Sequence, residues 1–211
     1  MKKSSINIPN LLSLIRVCLV PLFVVSLIYM RDIRIWGLLV PAAIYGITGY
    51  TDFLDGRIAR KYNLVTDFGK FIDPLADKFM VIGSQIAILA WMMIRGENTL
   101  ALVFVWVVLI ILLRELGVTS LRLVVAGKSG IVVAASMLGK IKTVSQMIGS
   151  IIIILEPLLL ELYALSNVEV FATMYEYHIL SYVVMAIITF TTLFSGLDYL
   201  KAYLPYIDSN K

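Results

Sequence analysis

Leu11-Leu12-Ser13-Leu14-Ile15-Arg16-Val17-Cys18-Leu19-Val20-Pro21-Leu22-Phe23-Val24-Val25-Ser26-Leu27-Ile28-Tyr29-Met30 is an almost unbroken apolar run of 20 residues. A helix of about that length crosses a bilayer's hydrocarbon core. Lys2 and Lys3 precede the run as they would in a secretory signal. The run is too long for a signal h-region, holds Arg16 and Pro21, and lacks a small-residue cleavage site after it, so it is expected to stay as a first span.

Working outward, the same character extends over the chain. Of 211 residues 60% are apolar and 15% charged, with mean hydropathy +0.93. Soluble domains average about 45–50% apolar and about 25% charged residues, so one water-facing core could not bury this much apolar surface. Disorder, a disulfide framework and a water-soluble Rossmann enzyme are excluded, and the single Cys18 has no intramolecular partner. Breaks in hydropathy predict six spans, near residues 9–30, 35–55, 71–94, 99–124, 134–156 and 177–200. They show no alternating segments of about ten residues, so helices are expected and barrel strands are not. The expectation is an all-α polytopic membrane protein, one domain over residues 1–211.

Lys and Arg set the orientation. An N-terminus in the cytoplasm puts Lys2, Lys3, Arg57, Arg60, Lys61, Lys70, Lys78, Lys128, Lys140, Lys142, Lys201 and Lys211 on that side and only Arg31, Arg34 and Arg95 on the other. The basic face suits anionic lipid headgroups. Nucleic acid is a poor partner, because these residues are scattered among short loops without a nucleic-acid-binding motif.

Chemistry concentrates where the second and third spans meet that face. Asp52, Asp55, Asp73 and Asp77 fall within 26 residues at spacings of three and four, which makes each pair neighbours on one helix face. A loop of about ten residues between antiparallel helices would let the four converge. Carboxylates gathered at a membrane edge repel one another and call for cations. Oxygen-only ligands select hard ions such as Mg²⁺, and four carboxylates suffice for two metals bridging a phosphate. For any single aspartate, helix capping or pairing with Arg57, Arg60 or Lys78 is the plain alternative. Gly56 and Ala59 leave room for a bulky group near the backbone, or simply for a packed helix. Arg60, two turns after Asp52, could hold a phosphate or anchor the helix at the interface.

Asp-x-x-Asp-Gly-x-x-Ala-Arg, then eight residues, Gly69, three residues, Asp73, three residues and Asp77 resembles the signature of the CDP-alcohol phosphatidyltransferase family. Asn7-Ile8-Pro9-Asn10 with Arg16 and Pro21, Asp73 to Lys78, Arg114-Glu115, Leu121-Arg122 and Gly139 to Thr143 with Gln146 resemble its bacterial branch that uses glycerol 3-phosphate as acceptor. The resemblance implies six membrane helices, a homodimer, Mg²⁺ or Mn²⁺ as two divalent ions, and phosphatidyl transfer from CDP-diacylglycerol to glycerol 3-phosphate. It further implies Asp52, Asp55, Asp73 and Asp77 around the metals, Asp77 as base, and Gly56, Ala59, Arg60 and Gly69 at the CDP moiety. A relative using phosphatidylglycerol as acceptor, a cardiolipin synthase, is the alternative.

Charge inside the remaining spans is also a site signal. Arg114 and Glu115 interrupt the fourth span, Arg122 follows two turns later, and Lys140 and Lys142 begin the fifth. Arg114, Arg122, Lys140 and Lys142 could form a cationic cup for a second substrate's phosphate, with interface anchoring as the alternative for the lysines. A local Arg114–Glu115 pair is not expected, since adjacent helical residues point different ways, whereas Glu115 could pair with a neighbouring helix. His178, the only histidine, falls on the outer side and supports neither covalent nor His-metal chemistry. An ion-coupled transporter would also place carboxylates on helices, but these lack a counterpart in the second half of the chain.

Overall fold

The computed structural model describes residues 8–62, 66–129 and 136–207, with the side chains at 8–9, 53, 55–62, 67, 70, 128–129 and 207 outside the described set. The helices are α1 (Ile8–Tyr29), α2 (Trp36–Tyr62), α3 (Asp67–Ile94), α4 (Asn98–Ser129), α5 (Met137–Leu155), α6 (Leu158–Ser166), α7 (Glu169–Glu176) and α8 (Ile179–Ile207). No strand occurs among the described residues. The protein is all-α and polytopic. Five helices, α1, α3, α4, α5 and α8, are long and apolar enough to cross a membrane. Only 33% to 39% of the most apolar window in each is buried, so apolar side chains such as Trp106 and Leu113 face outward, as lipid contact requires.

The sixth expected span, 35–55, corresponds to α2, which is not one of those five. Its 27 residues begin apolar at Trp36 and end in the charged stretch from Asp52 to Lys61, which lowers its hydropathy. Here the structure corrects the expected ten-residue loop: α2 runs to Tyr62 and α3 starts at Asp67, while the four aspartates lie on the two helices as their spacing predicts. The stretch after Leu155, expected as a plain outer loop, folds into α6 and α7. Asn167 in the left-handed region (φ 53°) ends α6, a conformation asparagine tolerates better than most residues.

Helix α1 packs on α2 and α3, α2 on α5, α3 on α4, and both α4 and α5 on α8. The principal core, including Phe23, Tyr45, Ile88, Trp91, Phe104, Ile111 and Ile188, fills the middle of the bundle. A smaller cluster of Val118, Val125, Tyr199 and Tyr203 joins α4 to α8 towards the end where α1, α3 and α5 start. Two of those starts are capped alike: Thr66 Oγ1 accepts from the Gly69 amide at 3.0 Å and Ser136 Oγ from the Gly139 amide at 3.1 Å, satisfying donors a helix start leaves open.

The opposite end is closed by local polar networks. Arg95 Nε donates to Glu97 at 3.0 Å and its Nη2 to Tyr175 Oη at 2.9 Å, while Tyr175 donates to Glu97 at 3.1 Å. Burial, and then the Glu97 carboxylate, push the Tyr175 phenol above its ordinary value, so it stays a donor at neutral pH. Glu156 accepts from the Ser181 amide at 3.1 Å and from the Ser181 hydroxyl, tying the α5–α6 junction to the first turn of α8.

Candidate functional site

Two side chains one turn apart on α1 reach the acidic helices. Arg16, only 1% exposed, sets Nη1 2.7 Å from Asp52 of α2 and also donates to Asp77 of α3. Ser13 donates to Asp73 Oδ1 at 2.6 Å. One guanidinium thus bridges carboxylates from two helices, and their side chains stay 38% and 51% exposed for Asp52 and Asp77. Three of the four expected aspartates are thereby brought to one place. The Asp55 side chain lies outside the described residues, as do those of Gly56, Ala59 and Arg60, although α2 carries all four.

A cavity of about 1050 Å³ opens beside this cluster. Asp52, Asp73 and Asp77 line it together with Arg114, Arg122 and Lys140, so opposite charges share one space. Gly46 and Gly49 of α2 face Met147, Ile148 and Ile151 of α5 along an apolar part of its wall. At Gly49 a Cβ would lie 1.8 Å from Met147 Cε, so the absent side chain is what lets that methionine seat there. The cavity therefore joins an anionic patch, a cationic patch and an apolar slot.

Gly69 is placed by close packing. A Cβ there would come 2.7 Å from Asn10 Oδ1 and 3.2 Å from Thr66 Oγ1, and Asn10 Nδ2 donates to Thr66 Oγ1 at 2.8 Å. Its lack of a side chain lets α1 dock on the capped start of α3.

The cationic residues divide. Arg122 and Lys140 are exposed on the cavity wall. Lys142 differs from expectation: it is 1% exposed, and its ammonium donates to Glu115 Oε1 at 2.6 Å. Lys78 reaches the same carboxylate through Oε2 and donates to the Glu115 carbonyl at 3.3 Å. Arg114 Nη1 meets Glu115 Oε1 at 2.9 Å, while Nη2 donates to Ser195 at 2.6 Å and the guanidinium lies 5.2 Å from the centre of the Tyr199 ring. The local Arg114–Glu115 pair therefore exists, contrary to the sequence expectation. Cβ directions one residue apart diverge, but two side chains this long converge at their tips. The expected pairing of Glu115 with neighbouring helices is present too.

Arg16 and Lys78 belong to this site although the sequence places Arg16 in the opening span and its motif, and Lys78 on the basic face as a possible partner for the aspartates. The signal for Arg16 was its position: a charge in the middle of the opening apolar run needs a buried partner.

The donor set fits a hard cation in its chemistry. It is all oxygen, faces a cavity, and carries more negative charge than Arg16 offsets. Among the described residues no three His, Cys, Asp or Glu side chains stand close enough to ligate one ion, and Asp55 lies outside that set.

A family model described as CDP-alcohol phosphatidyltransferase matches residues 6–194. The CDP-diacylglycerol–glycerol-3-phosphate 3-phosphatidyltransferase of Bacillus subtilis (strain 168) is 41% identical over 168 residues, covering 74% of this chain and 80% of that protein. A probable phosphatidylglycerophosphate synthase of Mycobacterium tuberculosis (strain H37Rv) is 36% identical over 198 residues, 94% of this chain and 82% of its own length. The Escherichia coli (strain K12) CDP-diacylglycerol–glycerol-3-phosphate 3-phosphatidyltransferase is 34% identical over 149 residues, 67% and 73% respectively.

Proposed function

The chain belongs to the CDP-alcohol phosphatidyltransferase family, and on that premise we propose that it transfers the phosphatidyl group of CDP-diacylglycerol to glycerol 3-phosphate, releasing CMP and phosphatidylglycerophosphate. The observation that carries this reading is the single cavity in which Asp52, Asp73 and Asp77 face Arg122 and Lys140 beside an apolar slot. A lipid pyrophosphate and an anionic acceptor need those three surfaces together.

In this reading the apolar wall between α2 and α5 takes the acyl chains, and Gly56, Ala59, Arg60 and Gly69 form the CDP end. Members of the family generally use divalent ions, and Asp52, Asp55, Asp73 and Asp77 are the residues that would hold them here, two Mg²⁺ or Mn²⁺. Such ions, when bound, neutralise charge on a pyrophosphate and on its leaving group. Arg122 and Lys140 hold the acceptor phosphate by charge-assisted bonds, with Arg114 beside them. Asp77 takes the proton from the acceptor's primary hydroxyl as its oxygen bonds to the diacylglycerol-bearing phosphorus, and the bond from that phosphorus to CMP breaks. No Ser, Cys or His is needed as a covalent carrier. Arg16, bridging Asp52 and Asp77, aims both carboxylates at one space.

Purified protein supplied with CDP-diacylglycerol and competing acceptors tests this by CMP release. Glycerol 3-phosphate should be consumed; consumption of phosphatidylglycerol instead would replace this reading with that of a cardiolipin synthase. The proposal includes one membrane domain over residues 1–211, six spans counting α2, a homodimer, and a site on the cytoplasmic side. In a Cys18→Ser background, Lys61→Cys and Asn167→Cys should react oppositely with an impermeant thiol reagent added to intact cells; equal reactivity would overturn that topology.

A further inference from the structure

Glu115 has no role in the chemistry just described, yet it is the most heavily engaged carboxylate among the described residues. Its side chain is 7% exposed, and it receives Lys78 from α3, Lys142 from α5 and the neighbouring Arg114 of α4. We propose that Glu115 is the positioning residue for the acceptor half of the site: one carboxylate, locked to the buried Lys142, that fixes Arg114 and Lys78 on the cavity wall so that an acceptor phosphate meets a preset array instead of flexible chains. The inference rests on the acceptor being a phosphate-bearing alcohol.

The stoichiometry argues against a purely structural pair. A carboxylate buried for stability needs one good counter-ion and hydrogen bonds for its remaining lone pairs, and every further buried cation adds desolvation cost. Among the described residues, three cations around one carboxylate leave an excess of positive charge beside a cavity that Arg114 and Lys78 both line. Geometry fixes the array further. Arg114 is held on Glu115 by one nitrogen and on Ser195 by the other, against the face of Tyr199. That leaves its guanidinium little freedom, which is the preorganisation a binding site for an anion gains from. Lys78 adds a mechanical link. It follows Asp77 directly, and while Asp77 is held by Arg16 of α1, Lys78 is held by Glu115 of α4. The turn of α3 carrying the proposed base is thus clamped from both sides, and one clamp is the residue that orders the acceptor's cations.

The test uses the full chain in detergent–lipid micelles, with CDP-diacylglycerol and glycerol 3-phosphate varied separately. Glu115→Gln should raise KM for glycerol 3-phosphate roughly 10- to 100-fold, the scale of losing a well-placed charge-assisted bond, and leave KM for CDP-diacylglycerol within about twofold. Glu115→Asp should recover most of that loss. Because Glu115→Gln strands buried cations, the double variant Glu115→Gln/Lys142→Met serves as its partner: it should regain thermal stability without regaining the acceptor KM. Recovery of both together, equal impairment towards the two substrates, or failure of both Gln-bearing variants to fold would overturn the proposal in favour of a structural lock. The wild-type arm is separate. Absence of glycerol 3-phosphate-dependent CMP release there would refute the acceptor reading itself, whatever the variants do.

Discussion

On the acidic side Asp52 and Asp77 share the guanidinium of Arg16 while Asp73 accepts from Ser13; around Glu115, one carboxylate holds three cations. Among the described residues the two neighbourhoods meet one cavity, through Asp52, Asp73 and Asp77 and through Lys78 and Arg114, and are imbalanced in opposite senses. A fold selected only for stability would have merged them, cancelling charge at the lowest desolvation cost. Here the separation is maintained between consecutive residues, Asp77 turning to α1 and Lys78 to α4. On the proposed reading each imbalance suits a ligand of the opposite sign: cations on one side and an anionic acceptor on the other. The opposite end of the bundle supplies the contrast, because among the described residues Arg34 forms a one-to-one pair with Glu161, at 2.9 Å.

The largest effect is expected on the anionic side. Asp73→Asn should cut transfer about 10³-fold or more while the protein still inserts, measured as CMP release per folded enzyme; near-normal turnover would mean the carboxylates are helix caps and would erase the comparison. Next comes the cation that holds this side together. Arg16→Met leaves the part-exposed Asp52 and Asp77 facing each other without their shared partner and should lower stability by about 1.5–3 kcal/mol, read from thermal unfolding in detergent. Added Mg²⁺ should restore part of that loss by binding the folded state, and no response to Mg²⁺ would argue against a cation site. On the cationic side, Arg122→Ala or Lys140→Ala should raise KM for glycerol 3-phosphate roughly 10- to 150-fold, the equivalent of about 1.5–3 kcal/mol, with KM for CDP-diacylglycerol nearly unchanged. Unaltered acceptor kinetics would make both residues membrane anchors. The smallest effect belongs to the balanced end: Arg34→Ala removes an ion pair whose arginine is 80% exposed and should cost under about 1 kcal/mol with no change in transfer.

Much of this was legible in the sequence because the relevant signals are local. Apolar runs of span length locate the long helices, and the three- and four-residue spacing of the aspartates survives folding, since α2 and α3 are continuous through them. What could not be read depends on contacts between distant segments. The Arg16 bridge joins residues 36 and 61 positions away, and Ser13 meets Asp73 because Gly69 lets α1 approach α3. Lys142 matched the positive-inside pattern of an interfacial lysine; only the packing of α3, α4 and α5 takes it inward to Glu115. The short helices α6 and α7 were missed because eight or nine residues are too few for periodicity to stand out from a loop.

The slot formed by Gly46, Gly49, Met147, Ile148 and Ile151 has a consequence for traffic. On the proposed reading, a molecule whose tails rest between α2 and α5 need never leave the oily phase, while small hydrophilic substrates would exchange near Arg122 and Lys140. Encounter with one substrate is then a search in two dimensions and with the other a search in three. Crowding the membrane with competing lipid should slow the first without touching the second, so the protein works as a phase-boundary reactor whose throughput answers separately to the make-up of each phase.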